Sequence, residues 1–151
     1  MNQTARRRIL FVCIHNSGRS QMAEAMVNRL GGDQFIAESA GCEPRPVHPG
    51  VIQVMREIGY DLSDATSDNL FDFFRQGRLY EKVIYVCERA AERDCPVFPG
   101  VRQVLHWPFD DPSQLAASDA AGLQGLRDIR DAIEQRIRAW LAEEGVAVDS
   151  R

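Results

Sequence analysis

The sequence holds no run of about 20 apolar residues, so it offers no helix able to cross a membrane. The apolar stretch after the basic cluster Arg6–Arg8 ends within a few residues, which is too short for the apolar centre of a signal peptide. Positive charge is scarce: 18 Lys and Arg stand against 22 Asp and Glu, a formal net charge of −4. That balance lacks the basic footprint of a nucleic-acid or anionic-membrane binder, and the lone arginine cluster reads as a solvated flank of the first strand. Cysteine is sparse, with four residues (Cys13, Cys42, Cys87 and Cys95) in 151, so no disulfide scaffold is implied. The three histidines, His15, His48 and His106, show no metal-ligand spacing. Internal repeats, linkers and low-complexity tracts are also missing. These absences predict a cytoplasmic protein built as one domain over residues 1–151, with its cysteines as thiols that are catalytic, redox-active or simply buried.

What is present is an alternation of short apolar runs and helical patterns. "RILFVC" (8–13), "FIAESAG" (35–41), "KVIYVC" (82–87) and "QVLHW" (103–107) read as four strands. Met22, Met26 and Leu30 recur at helical spacing until "GGD" (31–33) stops them. Val51, Ile52, Met55 and Ile58 form a second helical face, 70–75 a short helix, and Leu126, Ile129, Ile133, Ile137 and Leu141 a long final one. The "ERAAERD" stretch between Cys87 and Cys95 also has a helical look. None of the strands alternates with period two, which predicts a four-stranded parallel sheet buried on both faces, a three-layer α/β/α arrangement. Ligands of such sheets bind beyond the carboxyl ends of the strands. Cys13, Cys87 and the "DDP" at 110–112 all fall at such ends.

Cys13 and Arg19 make a C-x5-R pattern between a strand and a helix. A loop of this kind can curl its N–H groups inward into an anion nest, and the helix behind it adds further N–H groups and its dipole. Arg19 can grip two oxygens of a tetrahedral oxyanion with its planar fork. The same positive field favours the thiolate form of Cys13, placed for in-line attack on the central atom. Ile14, His15, Asn16, Ser17, Gly18, Arg19 and Ser20 are then the oxyanion-binding residues. Asn16 suits a supporting role in holding the unusual backbone, and Ser20 can donate a hydrogen bond to Cys13. Cys42 carries no motif and reads as a plain buried residue, and Trp107 and Trp140 as packing residues.

"CIHNSGRSQMAEA" resembles the active-site loop of the low-molecular-weight protein tyrosine phosphatase superfamily. Its "NS-x-RSQMAE" portion is similar to the thioredoxin-coupled arsenate reductases, and "SAG", "VHPGVIQVMREIGYDLS" and "HWPFDDP" follow in the same order. Gly18 is a departure, since these reductases more often carry cysteine or alanine there; only the backbone N–H is needed at that position, so little effect is expected beyond a more flexible loop. The resemblance implies the flavodoxin-like fold of that superfamily. It further implies that Cys13 attacks the arsenic of arsenate and that Cys87 then attacks Cys13 and releases arsenite. Cys95 next attacks Cys87, and the resulting Cys87–Cys95 disulfide is reduced by thioredoxin. It makes Asp111 the general acid, with turn or cap formation as its structural alternative. In some relatives Asn16, Glu24, Ser39 and Asp68 correspond to groups around a monovalent cation, so potassium is a candidate ion although no cofactor is required. A monomer is expected.

A continuous helix over "ERAAERD" would hold the Cα atoms of Cys87 and Cys95 roughly 12 Å apart, whereas a disulfide needs about 4.4–6.8 Å. Disulfide formation therefore requires that segment to unwind, and Pro96 already disfavours helix at Cys95. Two other readings compete. A phosphatase hydrolysing phosphate monoesters needs only Cys13, Arg19 and Asp111 and leaves two cysteines idle. A phosphocarrier or oxyanion-binding module gives neither Asp111 nor the extra thiols a task.

Overall fold

In a computed structural model, which describes residues 6–88 and 95–148, four parallel strands form one sheet flanked by helices. The strands are β1 (Arg7–Cys13), β2 (Phe35–Gly41), β3 (Lys82–Tyr85) and β4 (Gln103–His106). The helices are α1 (Arg19–Leu30), α2 (Pro49–Glu57), α3 (Leu70–Arg75) and α4 (Ala120–Glu143). Strand order across the sheet is β2-β1-β3-β4. The chain thus steps from β1 to one side and then returns past it to β3 on the other. That reversal places a crevice between the carboxyl ends of β1 and β3.

The expected parallel α/β/α architecture is present, with shifts at its edges. The third strand ends at Tyr85, although the Val86 N–H still bonds to the Val12 carbonyl. Cys87 is thereby released from the ladder just beyond the tip. In α2 the buried face is Val51, Val54 and Met55; Ile52 sits at its side and Ile58 caps the end. The "ERAAERD" stretch that looks helical in sequence falls largely on residues 89–94, outside the described residues.

Residues on β1 alternate between two cores. Ile9, Phe11 and Cys13 face one cluster with Met22, Met26, Ile84, Cys87 and the apolar stripe of α4. Leu10 and Val12 face the other, with Leu70, Phe73, Tyr80, Val83 and Phe98, and Cys95 packs against its side. Helix α1 rests on β2 and on α4, and α2 packs on α4. Ile133 and Ile137 of α4 are fully buried, each contributing roughly 2 kcal/mol by removal from water. Trp107 and Trp140 pack edge to face at 5.8 Å, as their sequence context predicts.

Local chemistry sets where the helices start. His48 accepts the Gly50 N–H and Pro49 occupies the first position of α2; Asn69 caps α3 and Asp119 caps α4. Helix α1 begins differently. Its N-cap is Gly18, with no side-chain cap, so its first N–H groups stay turned toward the loop that ends β1.

One glycine fixes the relation between sheet and loop. A Cβ on Gly41 would lie 2.6 Å from the Ile14 carbonyl oxygen and 2.8 Å from the Asn16 nitrogen. The end of β2 therefore has to be glycine for the Ile14–Asn16 backbone to pass over it.

Candidate active site

The loop from Ile14 to Gly18 is held by its carbonyls. The Glu43 N–H bonds to the Ile14 oxygen, the Arg45 N–H to that of His15, and the His48 N–H to that of Ser17. The Asn16 carbonyl accepts from the Ser67 hydroxyl and from the Gln21 amide. With these oxygens tied to surrounding segments, the Asn16 N–H turns inward onto the Cys13 sulfur, the sense of curvature that an anion nest requires. The Pro-rich stretch 42–50 is thus the outer brace of the loop.

Asn16 is the hub. It is fully buried and adopts a left-handed backbone, φ 52°. Its N–H donates to the Cys13 Sγ at 3.2 Å. Its side-chain amide donates to Ser20 Oγ (2.8 Å) and Ser39 Oγ (2.9 Å), while Oδ1 accepts from the Asp68 N–H (2.8 Å) and from Gln21. Ser20 Oγ lies 2.8 Å from Cys13 Sγ. Because that oxygen already accepts from Asn16, its own hydrogen is available to the sulfur. Cys13, with 3% exposure, therefore sits beneath donors from Asn16 and Ser20, an arrangement suited to a thiolate.

Arg19 is also 3% exposed, and its charge is already paired. Its Nη1 donates to Glu88 (3.1 Å) and to the Phe109 carbonyl (3.0 Å), and its Nη2 lies 3.9 Å from the Asp111 carboxylate. Asp111 accepts the Ser113 N–H and caps the 3-10 turn Pro112–Gln114. Burial favours the protonated form of Asp111, but the bonds from Ser113 and the charges of Arg19 and His15 outweigh it and hold its pKa below the usual value. Gly18 joins the two halves of the site. A Cβ there would press to 2.9 Å from Pro112 Cγ, so the glycine allows close seating of the Asp111 turn rather than merely loosening the loop.

Glu88 and Gln21 escape a reading of the sequence. Glu88 follows Cys87 and reaches Arg19 only because β3 lies beside β1. Gln21 sits on the buried side of α1 and ties Asn16 to the Thr66 carbonyl.

The four candidate cation residues are gathered around the same hub. Ser39 donates to Glu24 at 2.5 Å and accepts from Asn16, and Asp68 joins through its backbone N–H. Burial pushes the Glu24 pKa up to about 7, opposed by the Ser39 hydrogen bond and assisted by the charges of Asp68 and Glu38. Among the described residues no group of three His, Cys, Asp or Glu is arranged for a metal ion. The cluster instead offers two carboxylates and the Ser39 hydroxyl, oxygen donors of the kind that suits a hard cation, while Oδ1 of Asn16 is taken up by the Asp68 and Gln21 donors.

Cys87 is 2% exposed and lies in the same core cluster as Cys13. Cys95 is half-buried on the opposite side of the sheet. Cys42, expected to be a plain buried residue, is half-buried as well, and its Sγ lies 3.7 Å from that of Cys95. His48 has a structural role, bonding the Leu115 carbonyl, and His15 bonds the Glu43 carbonyl.

The sequence pattern of the family described as "Low molecular weight phosphotyrosine protein phosphatase" matches residues 8–149. An arsenate reductase of Halalkalibacterium halodurans is 38% identical over 137 residues, covering 91% of this chain and 96% of the relative. One from Bacillus subtilis is 35% identical over 138 residues, with the same two coverages. Among solved structures, an arsenate reductase in its oxidized state superposes with a TM-score of 0.75 at 30% identity, over 91% of this chain and 98% of the other. A thioredoxin-dependent arsenate reductase of Corynebacterium glutamicum gives 0.70 at 29% identity, over 91% of this chain and 61% of that one.

Glu88 takes up Nη1 of Arg19, the arginine that the C-x5-R pattern assigns to a tetrahedral oxyanion. Glu88→Gln should therefore bind phosphate and other tetrahedral oxyanions several-fold more tightly, read by calorimetric titration. Unchanged or weaker binding would show that Glu88 does not compete.

Proposed function

The chain belongs to the low molecular weight phosphotyrosine protein phosphatase family, and from that premise we propose that it is an arsenate reductase recycled by thioredoxin. The observation that carries this reading is the pairing of the anion loop with a second buried cysteine at the neighbouring strand tip. Cys13 closes β1, and Cys87 lies just beyond β3, which is hydrogen-bonded to β1.

In the proposed sequence the loop N–H groups and Arg19 hold arsenate over the Cys13 sulfur. The anion displaces Glu88 from Arg19. Attack by Cys13 forms a sulfur–arsenic bond and expels an oxygen, which takes a proton from Asp111. Asp111 is ionised in the resting protein. A bound dianion offsets the charge of Arg19 and raises the affinity of Asp111 for the proton it then delivers. Cys87 next attacks the Cys13 sulfur, the bonding pair passes to arsenic, and arsenite leaves. Cys95 attacks Cys87, freeing Cys13 as a thiol and leaving a Cys87–Cys95 disulfide. Cys95 is half-buried and precedes the largely exposed Val97 (86%), a position within reach of a partner protein. The unwinding expected between Cys87 and Cys95 falls on residues outside the described set.

Phosphate has the shape of arsenate, so the same loop, Arg19 and Asp111 also support slow hydrolysis of phosphate monoesters through a phosphocysteine. The relatives' names and the extra thiols favour reduction as the main activity.

The deciding assay combines protein, arsenate, thioredoxin, thioredoxin reductase and NADPH. Steady NADPH consumption is expected, and Cys95→Ser should lose at least about 100-fold in this cycle while still hydrolysing p-nitrophenyl phosphate. Efficient hydrolysis with no arsenate-dependent NADPH loss would make the chain a phosphatase. Normal cycling by Cys95→Ser would refute the relay.

No cofactor is needed for these steps. We propose that Asn16, Glu24, Ser39 and Asp68 hold a potassium ion, which would neutralise their carboxylates and brace the loop from behind. Potassium chloride should then raise the melting temperature by a few degrees over choline chloride at equal ionic strength, and Asp68→Asn should erase the difference. Equal melting in the two salts would exclude the ion.

A further inference from the structure

Cys42 has no task in the relay just described, yet its sulfur is in van der Waals contact with that of Cys95, at 3.7 Å. It directly follows Gly41, whose partner across the ladder is Cys13. Cys95 comes from the other direction, leaning on the cluster beneath α3. Two thiols far apart in sequence thus meet on the rim of the site, both half-buried and therefore reachable. A bonded sulfur pair is about 2.05 Å apart, so closing this contact asks for a movement of about 1.6 Å, within reach of a side-chain rotation.

Resting on the reductase reading, we propose that Cys42 is a fourth redox thiol that takes the disulfide over from Cys95 and lets the chain reduce a second arsenate before it meets any external reductant. The transfer is an exchange among sulfurs. The Cys42 thiolate attacks Cys95 Sγ in the Cys87–Cys95 disulfide. A Cys42–Cys95 bond forms, the Cys87–Cys95 bond breaks, and its electron pair leaves on Cys87. The proton lost by Cys42 balances the one gained by Cys87, and no outside oxidant is involved. Cys13 and Cys87 are then both reduced again. A second arsenate accepts two more electrons, releases arsenite and one water, and leaves Cys13–Cys87 as a second disulfide. That step is irreversible once arsenite diffuses away, so it drains the exchange even where the two disulfides are of similar stability.

The test uses the full chain, fully reduced and freed of reductant under anaerobic conditions, with excess arsenate and no thioredoxin. Arsenite is counted by chromatography, remaining thiols are titrated, and disulfides are mapped by alkylation and peptide mass spectrometry. Wild type should release two arsenite per chain, lose all four thiols and yield a Cys42–Cys95 peptide. Cys42→Ser should release one arsenite and keep one thiol. The wild-type peptide map decides independently of how well the variant folds. One arsenite from wild type with Cys42 recovered alkylated would overturn the proposal, as would a disulfide joining Cys42 to another chain. No arsenite from either protein would instead overturn the reductase reading itself.

Discussion

The left-handed turn at Asn16 is the constraint on which the site depends. A strand that must feed directly into a helix while wrapping its N–H groups around an anion has to reverse its curvature within a few residues. Asn16 does this at φ 52° while remaining wholly buried. A non-glycine residue there is strained, and the strain is offset by bonds to nearly every polar atom the residue owns. The amide side chain reaches Ser20 and Ser39, Oδ1 takes the Asp68 N–H, and the main-chain N–H rests on the nucleophile. The conformation of the loop, the donors at Cys13 and the position of the Glu24–Ser39 pair are therefore one network.

The sheet order gives that network a partner. Because β1 lies between β2 and β3, the tip carrying Cys13 is flanked on one side by Gly41–Cys42 and on the other by Val86–Cys87. Cysteines ending successive strands along the middle of a parallel sheet are brought to one rim by the topology alone. A thiol beneath an oxyanion is enough for ester hydrolysis. A second thiol within the same buried cluster offers an attack on sulfur instead of an attack by water, and this distinguishes the proposed reduction from phosphatase chemistry on the same scaffold.

Much of this was legible in the sequence, for local reasons. The bounds of β2 and α3 follow from local residue pattern and punctuation, and C-x5-R between an apolar run and a helical pattern marks the loop from β1 to α1. What was not legible depends on contacts between distant segments. Glu88 acquires meaning only when β3 is laid beside β1, and Gln21 only when α1 turns it toward Thr66. The Pro-rich stretch 42–50 carries no sign of its role in tying back the loop carbonyls, because the bonds are made by its backbone. Cys42 lacks a motif altogether, and its partner is 53 positions away. Gly18 reads as a flexible substitute until Pro112 is seen to press against it.

In the proposed relay, the thiols at the tips of β1 and β3 carry the reduction between them. The most direct measurement is disulfide mapping of Cys95→Ser after exposure to arsenate, where the second exchange is blocked. A Cys13–Cys87 disulfide, formed in step with one arsenite per chain, is the predicted result. Recovery of Cys87 wholly as thiol while arsenite is still released would contradict it.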